Sequence, residues 1–245
     1  MSEPRTLFVT GTDTGVGKTV VASWLAARLA PSARVALVKP FQTGASDPAR
    51  DGDEEFYRAA LGDASVTIRT LVTLPEPLAP AIAAARAGRP IDVAAALVAC
   101  RVLRKQHDIT LVEGAGGLLV SIAGETDMAS FAAALDASLV VVARPSLGTL
   151  NHTALTLEAA ERRGLAVELL AVSGFPSDAG VVEWENLRFL RERYPDLPLV
   201  VLSRGPLAPA DPLAGIEAWT LGPPSLLLAG LSLAPLALPA QRSEA

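Results

Sequence analysis

The chain has 245 residues, half of them hydrophobic, and a formal net charge of -5. This is apolar material for one large α/β domain or two small ones, and the acidic balance gives no reason to expect a polyanion such as nucleic acid as partner. A single cysteine, Cys100, excludes an internal disulfide; it lies in an Ala/Val/Leu helical run and reads as a buried, inert thiol.

The chain opens with MSEPR and then enters the stretch TLFVTGTDTGVGKT, residues 6–19. Residues 7–10 form a short apolar, β-branched strand. Gly11, Gly15 and Gly17 follow in a loop, and Lys18 and Thr19 open the amphipathic run VVASWLAARLA. Strand, glycine-rich loop and helix start, in that order, make a phosphate-binding P-loop. The glycines let backbone N–H groups approach an anion, and the helix start adds its dipole. Lys18 supplies positive charge for the β- and γ-phosphates, and Thr19 a hydroxyl for Mg²⁺. Relative to the strict P-loop pattern, the first glycine stands one place early, at Gly11 rather than at Thr12.

Further on, short apolar strands alternate with helical patterns. Strands are predicted at 35–38, 109–112, 139–143, 167–172 and 199–202. Helices are predicted at 53–61, at 92–106 with Asp92 as N-cap, at 149–163 stopped by Gly164, and at 183–194. Such alternation implies a mostly parallel twisted sheet with helices on both faces, an α/β fold of the P-loop NTPase kind. The whole chain is expected to form a single domain, with the Pro/Leu-rich tail 223–245 unassigned. Sheets of this kind bind ligands at the carboxyl ends of their strands.

Three further strand ends carry chemistry. The second strand ends at Lys39 in VKPFQTG, where a residue before proline is held extended. The strand in ITLVEGAGG ends at Glu113, a carboxylate placed to hold Mg²⁺, followed by Gly114, Ala115, Gly116 and Gly117, whose backbone N–H groups are free for a small substrate. In ARPSLGTLNH, the backbone of Gly148, Thr149, Leu150 and Asn151 at a helix start can cradle a carboxylate, or Ser146 or Thr149 can cap that helix. His152 reads as a capping or packing histidine, and His107 receives no role.

These four motifs, in this order and spacing, resemble the dethiobiotin synthetases of biotin biosynthesis, over roughly residues 6–175. A weaker fifth match is LPEPLAPAIAA followed by AGRPI, in which Ala81 stands where the family has a histidine. The resemblance implies a homodimeric P-loop enzyme that joins 7,8-diaminononanoate and CO₂ with ATP and Mg²⁺. One amine captures CO₂ as a carbamate, the carbamate attacks the γ-phosphate, and the second amine closes the ureido ring. It further implies nucleotide contacts from Asp13, Thr14, Gly15, Val16, Gly17, Lys18 and Thr19, with Glu113, and Gly174 at the base. Lys18 and Lys39 become the catalytic cations. Thr19, Asp53 and Glu113 become the metal ligands, with Asp47 and Asp51 as rivals to Asp53 in one loop. Thr12, Lys39, Thr43 and the 114–117 backbone become substrate contacts, with Gly148, Thr149, Leu150 and Asn151 reaching the substrate carboxylate from the other subunit.

One departure bears on the nucleotide. Where the family has an asparagine reading the adenine edge, this chain has Gly174 within Val-Ser-Gly-Phe-Pro. A glycine has no amide to discriminate bases, so nucleoside triphosphates other than ATP are expected to serve. The segment 203–207 also leaves the family pattern. A partition- or division-site switch ATPase shares this fold but carries a lysine where Asp13 stands, and a cobyrinate-type amide synthase would need a glutaminase domain with a nucleophilic cysteine. The immediate entry of MSEPR into the first strand, and the proline breaks in the apolar segment 225–238, point to a soluble cytoplasmic protein with no membrane partner.

Overall fold

The computed structural model describes residues 3–203 and 212–221, together with 223, 234–235 and 238. In chain order the elements are β1 (Arg5–Gly11), α1 (Lys18–Leu29), β2 (Val35–Thr43), α2 (Pro48–Asp51), α3 (Asp53–Leu61), β3 (Val66–Leu74), α4 (Pro80–Arg86) and α5 (Val93–Gln106). Then come β4 (Ile109–Gly117), β5 (Ser121–Ala123), β6 (Thr126–Asp127), α6 (Met128–Ala134), β7 (Ser138–Ala143), α7 (Thr149–Arg162) and β8 (Val167–Phe175). Last are α8 (Val181–Arg193), β9 (Leu199–Ser203), β10 (Ala218–Leu221) and β11 (Ala234–Pro235).

Nine of these strands form one sheet, in the order β11-β10-β9-β8-β7-β1-β4-β2-β3. Every neighbouring pair from β9 to β3 is parallel, and β10 is antiparallel to β9. β1 lies between β4 and β7, so the P-loop leaves the middle of the sheet. Alternation along β1 sends Leu7 and Val9 into a core beneath α1 and α3, and Phe8 into the opposite core. That second core takes Phe41, Phe131, Cys100 of α5, Ala160 of α7 and Leu187 of α8. Phe41 and Phe131 meet edge to face, with ring centroids 5.1 Å apart. Helices therefore cover both faces, as parallel strands buried on both sides require.

Several strands outrun the sequence expectation: β8 continues past 172 to Phe175 and so includes Gly174, and two more bear directly on the site. β2 does not stop at Lys39 but runs on through Pro40 to Thr43, paired with β3 along that length. Its ladder with β4 does stop, at the Val38–Val112 pair, because Pro40 has no N–H to continue it. β4 likewise runs through the glycines to Gly117, which pairs with Gly11. Lys39 and Glu113 are thus strand residues, held more stiffly than loop residues would be. β3, α4 and α6 have no counterpart among the predicted elements. Asp92 caps α5 through the Ala95 N–H, as expected, and Gly164 follows the α7 terminus with φ 65°. Cys100 is buried, and burial pushes its thiol up to about 12. Of the tail 223–245, most lies outside the described residues, as do residues 204–207.

Candidate active site

The site forms where the P-loop leaves β1, beside the point at which the β2–β4 ladder stops. α1 starts at Gly17, which has φ 94° and no side-chain cap, so the first N–H groups of the helix stay open to an anion. A Cβ on Gly17 would lie 2.4 Å from the Ser173 hydroxyl oxygen on β8, and the positive φ penalises any L side chain. The loop is packed against the sheet edge and only glycine fits there.

Five polar groups converge at that helix start: Lys39, Asp53, Glu113, Tyr57 and Thr19 of the helix itself. The Lys39 ammonium donates to Glu113 Oε1 at 2.7 Å and to Asp53 Oδ2 at 2.5 Å. The Thr19 hydroxyl donates to the same Glu113 Oε1 at 3.0 Å. Tyr57 donates its hydroxyl to the other oxygen, Oε2, at 2.7 Å. The Lys18 ammonium folds back onto the Asp13 carbonyl at 3.1 Å. Gln42 positions Asp53 by accepting its backbone N–H at 3.1 Å, while its own amide donates to the Thr43 carbonyl. A cavity of about 410 Å³ opens between these groups, lined by residues of the P-loop, Lys39, Thr43, Asp53, Glu113, Ala115 and Gly116.

The electrostatics follow from this crowding. Burial works against the charge on Lys39, but Glu113 and Asp53 more than offset it and hold its ammonium above the ordinary value. Lys18 lies lower than usual through burial; Glu113 opposes the shift and the positive charge of Lys39 adds to it. Burial, then the Glu113 charge, push the Tyr57 phenol well above its ordinary value, so it remains a donor. At the loop entrance the Thr14 N–H, and after it Arg144 at 2.6 Å, hold the Asp13 carboxyl below the usual range. An acceptor-rich Glu113, two cations and an open helix start give this cavity the chemistry to hold a phosphate chain.

Residues 5–203 match the protein family described as AAA domain. The ATP-dependent dethiobiotin synthetase BioD of Mycolicibacterium gilvum is 41% identical over 225 residues, covering 88% of this chain and 97% of the relative. That of Saccharopolyspora erythraea is 46% identical over 209 residues, covering 85% of this chain and 90% of the relative. The chain belongs to the dethiobiotin synthetase family. It is accordingly an enzyme of the ATP-dependent cyclo-ligase type. Among solved structures, apo McdA of Cyanthece (TM-score 0.54, 16% identity, 81% of this chain and 85% of that one) and the cell division ATPase MinD of Pyrococcus furiosus (TM-score 0.53, 17% identity, 83% and 84%) share the P-loop fold. At that identity they show the fold alone, and the switch-ATPase alternative gains nothing from them. Among the described residues no helix is long and apolar enough to cross a membrane.

With the dethiobiotin synthetase motifs mapped onto the fold, most of the expected site residues fall together. Of the three candidate loop acids, Asp53 alone reaches Lys39. Asp47 caps α2 through the Ala49 N–H, and Asp51 accepts the N–H groups of Ser46 and Asp47. Gly114 turns its carbonyl toward Lys39 at 3.5 Å. Thr12, Asp13 and Gly117 line a neighbouring cavity of about 320 Å³, which also meets His152. Within the P-loop, Thr14 borders both cavities, Gly15 borders the first, and Val16 is buried in the core under α1. Gly148, Thr149, Leu150 and Asn151 line neither cavity. They form the first turn of α7, capped by Gly148 at φ 90° without any side-chain cap, so neither Ser146 nor Thr149 closes that helix start. His152 has an unpartnered buried Nδ1 among the described residues, and His107 bonds the Leu103 carbonyl and the Thr67 hydroxyl.

Tyr57, Gln42 and Arg144 were not singled out in the sequence. Tyr57 follows Asp53 by four residues in a helical pattern, which puts both on one face of α3. That spacing was the available signal, and in sequence it does not distinguish the Tyr57 hydroxyl from that of an ordinary core tyrosine.

Proposed function

We propose that the chain converts 7,8-diaminononanoate, CO₂ and a nucleoside triphosphate into dethiobiotin, the nucleoside diphosphate and phosphate. The observation that carries this is the Lys39 ammonium, buried between Glu113 and Asp53, in a cavity shared with Lys18 and Thr19. Phosphoryl transfer to a carbamate requires crowded negative charge to be neutralised more than it requires a base. In this reading one substrate amine attacks CO₂ and the carbamate forms near Lys39. A carbamate oxygen then displaces the nucleoside diphosphate from the γ-phosphorus. The second amine attacks the carbonyl carbon of the mixed anhydride, phosphate leaves with the bonding electrons, and the ureido ring closes.

Mg²⁺ fits the donor set. Thr19 Oγ1, Glu113 Oε1 and Asp53 Oδ2 are hard oxygen donors: the two carboxylate oxygens already share one cation, the Lys39 ammonium, and the Thr19 hydroxyl bonds the same Glu113 oxygen. Among the described residues no three His, Cys, Asp or Glu side chains are grouped so as to hold a metal ion by themselves. Two carboxylates with a hydroxyl are what Mg²⁺ uses when phosphates and water complete its shell. Bound there, it would neutralise charge on the β- and γ-phosphates. Lys18 and the 13–19 backbone would bind the phosphate chain, and Lys39 would face the γ-phosphate and carbamate. Thr12, Thr43 and the 114–117 backbone would hold the diamine. The α7 start, residues 148–151, of the partner subunit in a cytoplasmic homodimer would take its carboxylate.

The base end supports relaxed nucleotide choice. Gly174 has φ 77° and no side chain to read a base edge, so CTP and GTP are expected to serve beside ATP. The test is diaminononanoate-dependent phosphate release with ATP, CTP and GTP. Release that requires the diamine supports the reaction; hydrolysis indifferent to the diamine sinks it; a strong preference for ATP alone sinks the relaxed selectivity.

A further inference from the structure

We infer that Tyr57 is a positioning residue for the cation site: its hydroxyl holds Glu113 to one-oxygen presentation. This rests on the metal-site reading above. The Tyr57 ring is fully buried in the core beneath α1, among apolar residues that a phenylalanine would satisfy equally well. Packing explains the ring but not the hydroxyl. A phenol buried with a carboxylate must find a partner, and here each satisfies the other at 2.7 Å.

The two oxygens of Glu113 then have separate duties. Oε2 is capped by Tyr57 from the core side. Oε1 alone faces the cavity, where it accepts from Thr19 and Lys39. Glu113 itself is 1% exposed, so no solvent can take the place of Tyr57 on Oε2. A carboxylate pinned in this way offers a cation one oxygen, the mode that suits a small octahedral ion keeping its waters and phosphates. Freed of Tyr57, the carboxylate could turn and offer both oxygens, which favours a larger ion such as Ca²⁺. Partners behind a metal ligand typically govern affinity by about 10–100-fold. Tyr57 would therefore set both the strength of cation binding and the choice of cation, without touching substrate.

The experiment titrates Mn²⁺ and Ca²⁺ into enzyme saturated with a non-hydrolysable ATP analogue, following free Mn²⁺ by electron paramagnetic resonance and Ca²⁺ by its displacement. In Tyr57→Phe the Mn²⁺ Kd is expected to rise about tenfold, with the Ca²⁺ Kd rising less. The Mg²⁺ needed for half-maximal turnover should rise by the same factor, while turnover at saturating Mg²⁺ stays within about threefold. An Mn²⁺ Kd within about twofold of the native value, or Mn²⁺ and Ca²⁺ weakened equally, overturns the inference. Glu113→Gln separates the two layers: if it weakens Mn²⁺ while Tyr57→Phe does not, only the role of Tyr57 falls. If Glu113→Gln leaves Mn²⁺ binding unchanged, the metal-site reading falls and takes the inference with it. Should Tyr57→Phe fail to fold, the native sequence grown with 3-fluorotyrosine answers instead. The chain has two tyrosines, and Tyr194→Phe assigns the fluorine resonances. The Tyr57 resonance is expected to move on adding Mg²⁺ and the analogue, and to stay fixed in Glu113→Gln; a Tyr57 resonance indifferent to the cation overturns the inference.

Discussion

Two ion pairs join β2 to β4, one just before the strands begin and one midway along them, and the two could hardly differ more. At the amino ends, just before each strand, Arg34 meets Asp108 at 2.8 Å, with side chains 61% and 32% exposed. Midway along both strands, just past the last β2–β4 ladder pair, Lys39 meets Glu113 at 2.7 Å, with side chains 6% and 1% exposed. The lengths are nearly equal; the surroundings are not. The first pair sits in water, where charge attraction is screened and contributes little. The second has been stripped of water on a sheet rim next to an open helix start, where each charge acts strongly on any anion that enters. The lesson is that the reactive end of this sheet is marked by the burial of charge and not by its presence.

Removing the buried cation should break the contrast most severely. Lys39→Ala is expected to lower diamine-dependent phosphate release by about 10³-fold or more, with nucleotide still binding. Near-normal turnover in a folded variant would remove Lys39 from the chemistry. The acids of the loop come next. Asp53→Asn should cost about 10²-fold in turnover, measured across a Mg²⁺ titration, whereas Asp47→Asn and Asp51→Asn stay within about twofold because their oxygens are spent on local N–H groups. Equal losses at all three would erase the distinction.

A smaller effect is expected at the base end, where the contrast is between charge and no side chain. A Cβ on Gly174 would meet nothing within 4 Å, and asparagine tolerates positive φ better than most residues. Gly174→Asn should therefore fold and sharpen the ATP-to-CTP ratio of kcat/KM by about tenfold. An unchanged ratio would place base selection elsewhere. The smallest effect belongs to the exposed pair. Hydrogen bonding from Arg34 holds the Asp108 carboxyl at about 2, below the usual carboxylate range. A depressed carboxylate stabilises the fold above its unfolded pKa and loses that contribution as pH falls through the folded one. Asp108→Asn should thus lower the thermal midpoint by no more than about 2 °C at pH 7, and the difference from the native chain should vanish near pH 2. A large loss at neutral pH would contradict the comparison.

How far the sequence alone reaches can be judged from individual residues. Lys18, Lys39 and Glu113 each stand in a short contiguous motif at the end of an apolar run, and parallel sheets bring such ends to one rim. The sequence therefore discloses them before any fold is known. Pro40 misleads locally: it reads as a stop, yet β3 continues the ladder past it and keeps Lys39 inside a strand. β3 itself, VTIRTLVTL, escapes notice because it lies at the sheet edge half-buried and carries an arginine in its middle. Tyr57 acts through Glu113, far along the chain, and Gln42 through the backbone of Thr43 and Asp53, so beyond the four-residue spacing of Asp53 and Tyr57 nothing local separates their polar tips from ordinary core and strand positions. The choice among Asp47, Asp51 and Asp53 needs the same information, since spacing places all three in one loop and only the fold turns Asp53 toward Lys39.

The central claim is that a divalent cation takes Glu113 and Asp53 over from Lys39, whose ammonium then faces the γ-phosphate. A crystal structure with Mg²⁺, a non-hydrolysable triphosphate and the diamine addresses it most directly. Mg²⁺ is predicted on Thr19, Glu113 and Asp53, with the Lys39 ammonium turned from the carboxylates to within hydrogen-bond reach of the γ-phosphate. A γ-phosphate bound out of reach of Lys39, with the metal away from Glu113, would contradict it.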